Sequence, residues 1–218
     1  LLDWAPQALG GLVGAMVLSP TGDRLVVGGK FTSLNGSTNP GYGLGALDTV
    51  TGELLPWSAN SLIRNATDRA AITSLTSDGE YVYGTGFTRV DAGVGNLEGA
   101  FAASWDGGVL RWVADCHGDH YAIHPVGDVV YAVGHAHFCG NIGGFPQTGG
   151  DQQRLWTYQR AVAFSRARTG TVARNTTGNG YFDFGGSPAP SFLHWYPDLD
   201  FGKFTGQFGL ETLPAQAQ

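Results

Sequence analysis

Three stretches of this chain can be laid over one another, and that repetition limits the fold more than any other feature. They are Gly22-Asp23-Arg24-Leu25-Val26-Val27-Gly28-Gly29, then Asp78-Gly79-Glu80-Tyr81-Val82-Tyr83-Gly84-Thr85-Gly86, then Gly127-Asp128-Val129-Val130-Tyr131-Ala132-Val133-Gly134. Each reads as a turn, a β-branched or aromatic run, and a glycine where another backbone must come close. A second element follows each copy: Leu44–Asp48 with Thr51-Gly52 and Trp57, Phe101–Trp105 with Gly107-Gly108 and Trp112, and Ala161–Phe164 with Thr169-Gly170. Trp4, Trp57 and Trp112 fall in one slot, 53 and 55 residues apart. Short strands with glycine turns, repeating at this period, predict an all-β fold of four-stranded antiparallel β-propeller blades. A β-sandwich would not need one tryptophan recurring in one slot.

The repeat divides the chain into a blade end over 1–9, blades over 10–59, 70–115 and 116–176, and the start of a further blade over 177–218. The N-terminal segment Leu2 to Pro6 reads as an outermost strand, and Phe204 to Leu210 as a strand of the further blade. Residues 61–71 could form one short helix. Three blades are fewer than the roughly four to eight that close a ring. The chain starts at Leu1 without an initiator Met and reads as a processed or partial one, and the expectation is that further blades, another protein chain or self-assembly completes the ring.

Composition narrows the function classes. Glycine supplies 35 of 218 residues, about 16% against roughly 7% in average proteins, in keeping with many tight turns. The net charge of −6 with scattered basic residues speaks against a nucleic-acid partner. No apolar run reaches the roughly 18 residues of a membrane span. Two cysteines, Cys116 and Cys139, read as one disulfide in an exported protein. Cys116 follows the fourth strand of one blade and Cys139 the second strand of the next, which puts both sulfurs at one end of the sheets. Sequons at Asn35, Asn65 and Asn175 are candidate glycosylation sites.

The motif Gly28-Gly29-x-Phe31-Thr32-x-Leu34-Asn35-Gly36, followed by Ala46-Leu47-Asp48-x-x-Thr51-Gly52-x-Leu54-x-x-Trp57, resembles the blade repeat of secreted actinobacterial propeller proteins, which often accompany PKD-type or other cell-surface domains. The stretches 115–139 and 190–197 are similar to the same group. The resemblance implies an extracellular or cell-surface propeller and carries over no catalytic residue.

Five of the six histidines lie between residues 117 and 137. His135 and His137 are two apart on a strand and share a face. With His117, His120 and Asp119 they form a candidate site for zinc or another divalent metal; the alternative is a set of histidines hydrogen-bonded around the disulfide. Trp156, Trp195 and Tyr196 fall outside the repeat slots and are candidates for a ligand surface. The leading functional expectation is a non-catalytic binding or assembly module at the cell surface. The alternatives are a glycan-binding, lectin-like propeller and a metal-dependent enzyme using the histidine-rich face.

Overall fold

The computed structural model describes residues 4–176 and 180–199. It contains fourteen strands: β1 (Ala8–Leu9), β2 (Val13–Leu18), β3 (Arg24–Gly29), β4 (Ser33–Leu34), β5 (Leu44–Asp48), β6 (Leu54–Leu55), β7 (Ala70–Ser77), β8 (Tyr81–Thr88), β9 (Gly99–Ser104), β10 (Leu110–Asp115), β11 (His120–Val126), β12 (Val129–Ala136), β13 (Gln159–Thr171) and β14 (Pro188–Leu193). Three four-stranded antiparallel sheets follow one another along the chain, in the orders β2-β3-β5-β6, β7-β8-β9-β10 and β11-β12-β13-β14. Each is a meander, as expected of a propeller blade. A small ribbon, β1 with β4, caps blade 1.

The blades share one irregularity at one place. The pairing of the innermost strand with the second strand shifts between Val13 and Ala15, between Ile72 and Ser74, and between His120 and Ala122. The residues facing these bulges begin with Gly29, Gly86 and Gly134. A Cβ on Gly29 would collide with the Leu12 carbonyl, and one on Gly134 with the Asp119 carbonyl. A bulge bends the inner strand and brings its backbone onto its neighbour, and only glycine leaves the space. The recurring glycines of the sequence are therefore bulge sockets.

The inner strands pack side by side: β7 lies on β2 and β3, and β11 on β7 and β8. One apolar core joins the three sheets and includes Val26, Ile72, Tyr83, Phe101, Trp112, Ile123 and Phe164. The tryptophans behave as one set. The Trp4 Nε1–H donates to the Asp48 carbonyl at 3.0 Å, beside the β5–β6 turn of blade 1. Trp57 lies flat against Gly108, in the β9–β10 turn of blade 2, where a Cβ would strike the indole. The Trp112 Nε1–H donates to the Arg166 carbonyl of blade 3 at 2.9 Å. Each indole thus sits on the third strand of the blade that follows it, or on the turn that leaves that strand.

Several expectations are corrected. The helix expected over 61–71 is absent: a 3₁₀ turn spans Ser58–Ser61 and irregular backbone follows. Two buried asparagines hold that backbone. Asn60 Oδ1 accepts from the Gly41 and Tyr42 amides, and its Nδ2 donates to the Tyr42 and Ile63 carbonyls. Asn65 Oδ1 accepts from the Asn96 and Leu97 amides, while its Nδ2 donates to the Ala71, Phe87 and Leu97 carbonyls. A side chain bound this way cannot carry a glycan, so the Asn65 sequon is not a surface site. The boundary of blade 3 also moves. The turn read at Thr169-Gly170 lies inside β13, and the outer strand is Pro188–Leu193, beyond the expected limit at 176. At the N-terminus, Leu2 and Asp3 lie outside the described residues, and Trp4 to Gln7 form no strand. The strand read at Phe204 to Leu210 also lies outside them.

Trp112 is 1% exposed and bridges Tyr83 of its own blade, with ring centroids 5.9 Å apart, to Phe164 of the next at 6.3 Å. Trp112→Ala is expected to cost about 3–5 kcal/mol in chemical denaturation, the range for truncating a large core aromatic.

Candidate functional site

Blades 2 and 3 are joined at one end by the Cys116–Cys139 disulfide, with S–S 2.06 Å and Cα–Cα 4.2 Å. The bridge follows from the topology: β10 delivers Cys116 and β12 delivers Cys139 to the same end. Beyond the last regular pair of β11 and β12 the two chains stay in register. The His117 amide donates to the Phe138 carbonyl at 2.8 Å, and the His137 amide to the His117 carbonyl at 2.9 Å.

The histidines crowd here among carboxyl groups and aromatic rings. His117 is 1% exposed, His120 0% and His137 3%. His117 stacks on Tyr181, with centroids 3.8 Å apart and planes 10° apart, and has Phe138 nearby at 4.8 Å. His137 stacks on Trp156 at 4.2 Å, and its Nε2 lies 3.2 Å from the Tyr181 hydroxyl. His120 Nδ1 is bonded to the Gly118 carbonyl at 2.8 Å. Tyr121 donates to Asp119 Oδ2 at 3.0 Å and lies 3.3 Å from His135 Nδ1. Two buried carboxyl groups complete the cluster: Glu98 Oε2 accepts from the Gly118 amide at 2.6 Å, and Asp115 Oδ2 accepts from Asn141 Nδ2 at 2.7 Å.

The described side chains are not arranged as the expected metal-ligand set. Among the described residues, no three histidine, cysteine or carboxylate side chains are placed to hold one ion. His117, Asp119, His120, His135 and His137 are neighbours, but their rings are turned to separate partners and to aromatic faces. His117 and His137 are stacked on aromatic rings, while His120, His135 and His137 each have a polar partner at one ring nitrogen.

Burial sets its electrostatics. It pushes Glu98 up to about 8, helped by the nearby charges of Asp119 and Asp115. It also raises Asp115 and Asp119 to about 6 each. The same burial pulls His117 down to about 3, and His120, His135 and His137 to about 4. Near neutral pH the cluster therefore holds uncharged imidazoles and a protonated Glu98, whose side chain also hydrogen-bonds Tyr181. Glu98, Asp115, Tyr121 and Tyr181 escaped the sequence reading; Glu98 sits in a glycine-rich run that reads as turn.

The three aromatic residues singled out for a ligand surface each pack on neighbours of their own. Trp156 is committed to His137. Tyr196 packs on Phe145 at 5.4 Å and Phe192 at 5.8 Å. Trp195 lies on Tyr131 at 4.9 Å. By the shared bulge, Tyr131 matches Tyr83, so the Tyr131–Trp195 pair repeats Tyr83–Trp112. Trp195 is thus the blade 3 member of the tryptophan set, although it is 44% exposed. It borders a concavity of about 470 Å³ on the open flank of blade 3, also lined by Ala122, His124, Tyr131, Val133 and Ala161. Of the sequons, Asn35 is exposed but its side chain links the Gln7 amide and the Gly52 carbonyl. Asn175 Nδ2 donates to the Tyr181 carbonyl.

No family model matches the chain, and no curated protein does. Among solved structures, the β-propeller domain of Cps50 (Swd1) from Myceliophteria thermophila is similar at 16% identity, over 57% of this chain and 50% of that one, with a TM-score of 0.24. This chain spans about half the length of that structure. At that TM-score nothing about residues or partners transfers.

Two measurements test the site. Cys116→Ser with Cys139→Ser is expected to lower stability by about 3 kcal/mol, the chain-entropy value for a loop of this size, in denaturant titrations of the double variant. The second concerns pH. Glu98 holds its proton to about 8 when folded but only to its ordinary 4.5 when unfolded. Its stabilising contribution is complete below pH 4.5 and drains away as pH rises to about 8. The histidines run the other way: their contribution is complete above pH 6.5 and is lost as pH falls toward 4. Glu98→Gln is expected to remove the fall in Tm that this group causes between pH 4.5 and about 8, and to leave the profile below pH 4.5 unchanged.

Proposed function

We propose that this chain is a non-catalytic binding and assembly module of an extracellular or cell-surface structure, and that it works through the flanks of its arc of blades. The observation that carries the reading is the apolar surface left open on blade 1. Leu12 is 74% exposed, Met16 62% and Leu18 55%, all on or beside the innermost strand β2. The corresponding strand of blade 2 is packed on its neighbour. Blade 3 presents the concavity beside Trp195 on the opposite flank. Apolar patches of this kind mark protein-interaction surfaces. The disulfide supports an oxidising compartment. Among the described residues, no helix is long and apolar enough to cross a membrane.

The buried cluster at the disulfide favours a structural role for that end. His117 and His137 are stacked on aromatic rings, and the Glu98 and Asp115 carboxyl groups are tied to backbone and side-chain donors.

The test is Met16→Asp with Leu18→Asp. The variant is expected to keep the circular dichroism and disulfide of the parent, bind less of a hydrophobic dye, and lose concentration-dependent association in sedimentation velocity. Equal dye binding and equal sedimentation of the two proteins would remove the flanks as interaction surfaces.

A further inference from the structure

Among the described residues there are two filled copies of an interface and, on the flanks of the arc, the two halves of a third. In the first filled copy, blade 1 receives β7. A Cβ placed on Gly28 would meet the Ile72 side chain at 2.6 Å and Leu75 at 3.2 Å, so these two residues fill the blade 1 face. The shared bulge supplies the equivalents. Val13, Ile72 and His120 occupy the first position, Met16, Leu75 and Ile123 the fourth, and Gly28, Thr85 and Val133 the receiving position opposite. In the second filled copy, blade 2 receives β11, and His120 and Ile123 are 0% and 5% exposed. The incoming pair is therefore buried wherever a preceding blade is present. Val13 and Met16 are the same pair on blade 1, and they are 40% and 62% exposed. The receiving face on blade 3, around Val133 and Tyr131, is the 470 Å³ concavity.

We propose that the blade 3 concavity seats the inner strand β2 of a second copy of this chain, with Val13 and Met16 entering beside Val133. The proposal deepens the assembly reading above and rests on it. The contact is head to tail, joining blade 3 of one copy to blade 1 of the other. Inner and middle strands carry the junction. The outer seat on blade 1 is already held by its own Trp4 at the Asp48 carbonyl, so Trp195 stays on Tyr131. The surfaces match in kind: an apolar pair on a bulged strand meets a face of alanine, valine and aromatic side chains, as it does twice within the chain.

The experiment uses full-length chains carrying one substitution each. Val13→Cys and Val133→Cys proteins are mixed under mild oxidation, with Val50→Cys, at a surface residue 84% exposed, replacing Val13→Cys as the control. The expected result is a disulfide-linked pair from the Val13→Cys and Val133→Cys mixture, absent from either protein alone and from the Val50→Cys mixture. Native mass spectrometry of the unsubstituted chain is expected to give dimers or larger assemblies. A Val13→Cys protein that links to itself overturns the head-to-tail arrangement. So does a mixture that links no better than the control, or an unsubstituted chain that is monomeric. Absence of the cross-link together with a sedimentation response to Met16→Asp and Leu18→Asp would refute this seat and leave the broader reading standing.

Discussion

The contact on which the rest of the structure depends is the seating of one blade's innermost strand on the face of the blade before it. A four-stranded sheet of this size cannot bury both of its faces alone. Stacking supplies the missing cover, and each blade both receives a strand and offers one. The bulge at Val13, Ile72 and His120 makes that exchange repeatable. It bends the inner strand so that the side chains before and after it reach the same neighbour, and the glycine opposite leaves room for the bend. The tryptophans finish the joint at the other edge, where Trp57 and Trp112 are each 1% exposed.

Much of this was legible in the sequence, because the repeat is carried by residues whose chemistry is local. The three glycine sockets and the set formed by Trp4, Trp57 and Trp112 were readable because a bulge needs glycine and an inter-blade slot needs a large flat side chain. Cys116 and Cys139 were readable because meander topology places their strands' ends together. The parts that failed are those where long-range contacts overrule local pattern. Residues 61–71 look helix-compatible, but Asn60 and Asn65 bind backbone from distant strands and hold the segment irregular. The outer strand of blade 3 is displaced to Pro188–Leu193, so Trp195 lost its expected spacing and looked unrelated to the set it belongs to.

The histidine-rich end shows the same limit from the side of chemistry. Spacing put His135 and His137 on one strand and suggested metal ligands. Ring orientation decides otherwise, and the sequence does not encode it locally. Tyr181 and Trp156 arrive from loops more than 15 residues away and stack on His117 and His137. An imidazole pressed against an aromatic face in a dry site holds its neutral form, and the low proton affinity of all four buried histidines follows from that burial.

The polar end and the apolar flanks place opposite demands on the same blades. Between blades 2 and 3 the seat is partly polar: His120 takes the position that Ile72 holds on blade 2, and the Thr73 hydroxyl donates to the His120 carbonyl at 2.6 Å. A polar side chain in that position loses more on burial than isoleucine gains, unless its hydrogen bonds are met inside. At this junction the Gly118 carbonyl meets that need at His120 Nδ1, and the disulfide adds a covalent hold between the same two blades. The interface between blades 1 and 2 needs no such support, because Ile72 and Leu75 are apolar. Val13 and Met16 are of this second kind. A surface that seats them therefore needs shape and apolar area alone, and it can form and separate without the covalent bond that holds blades 2 and 3 together.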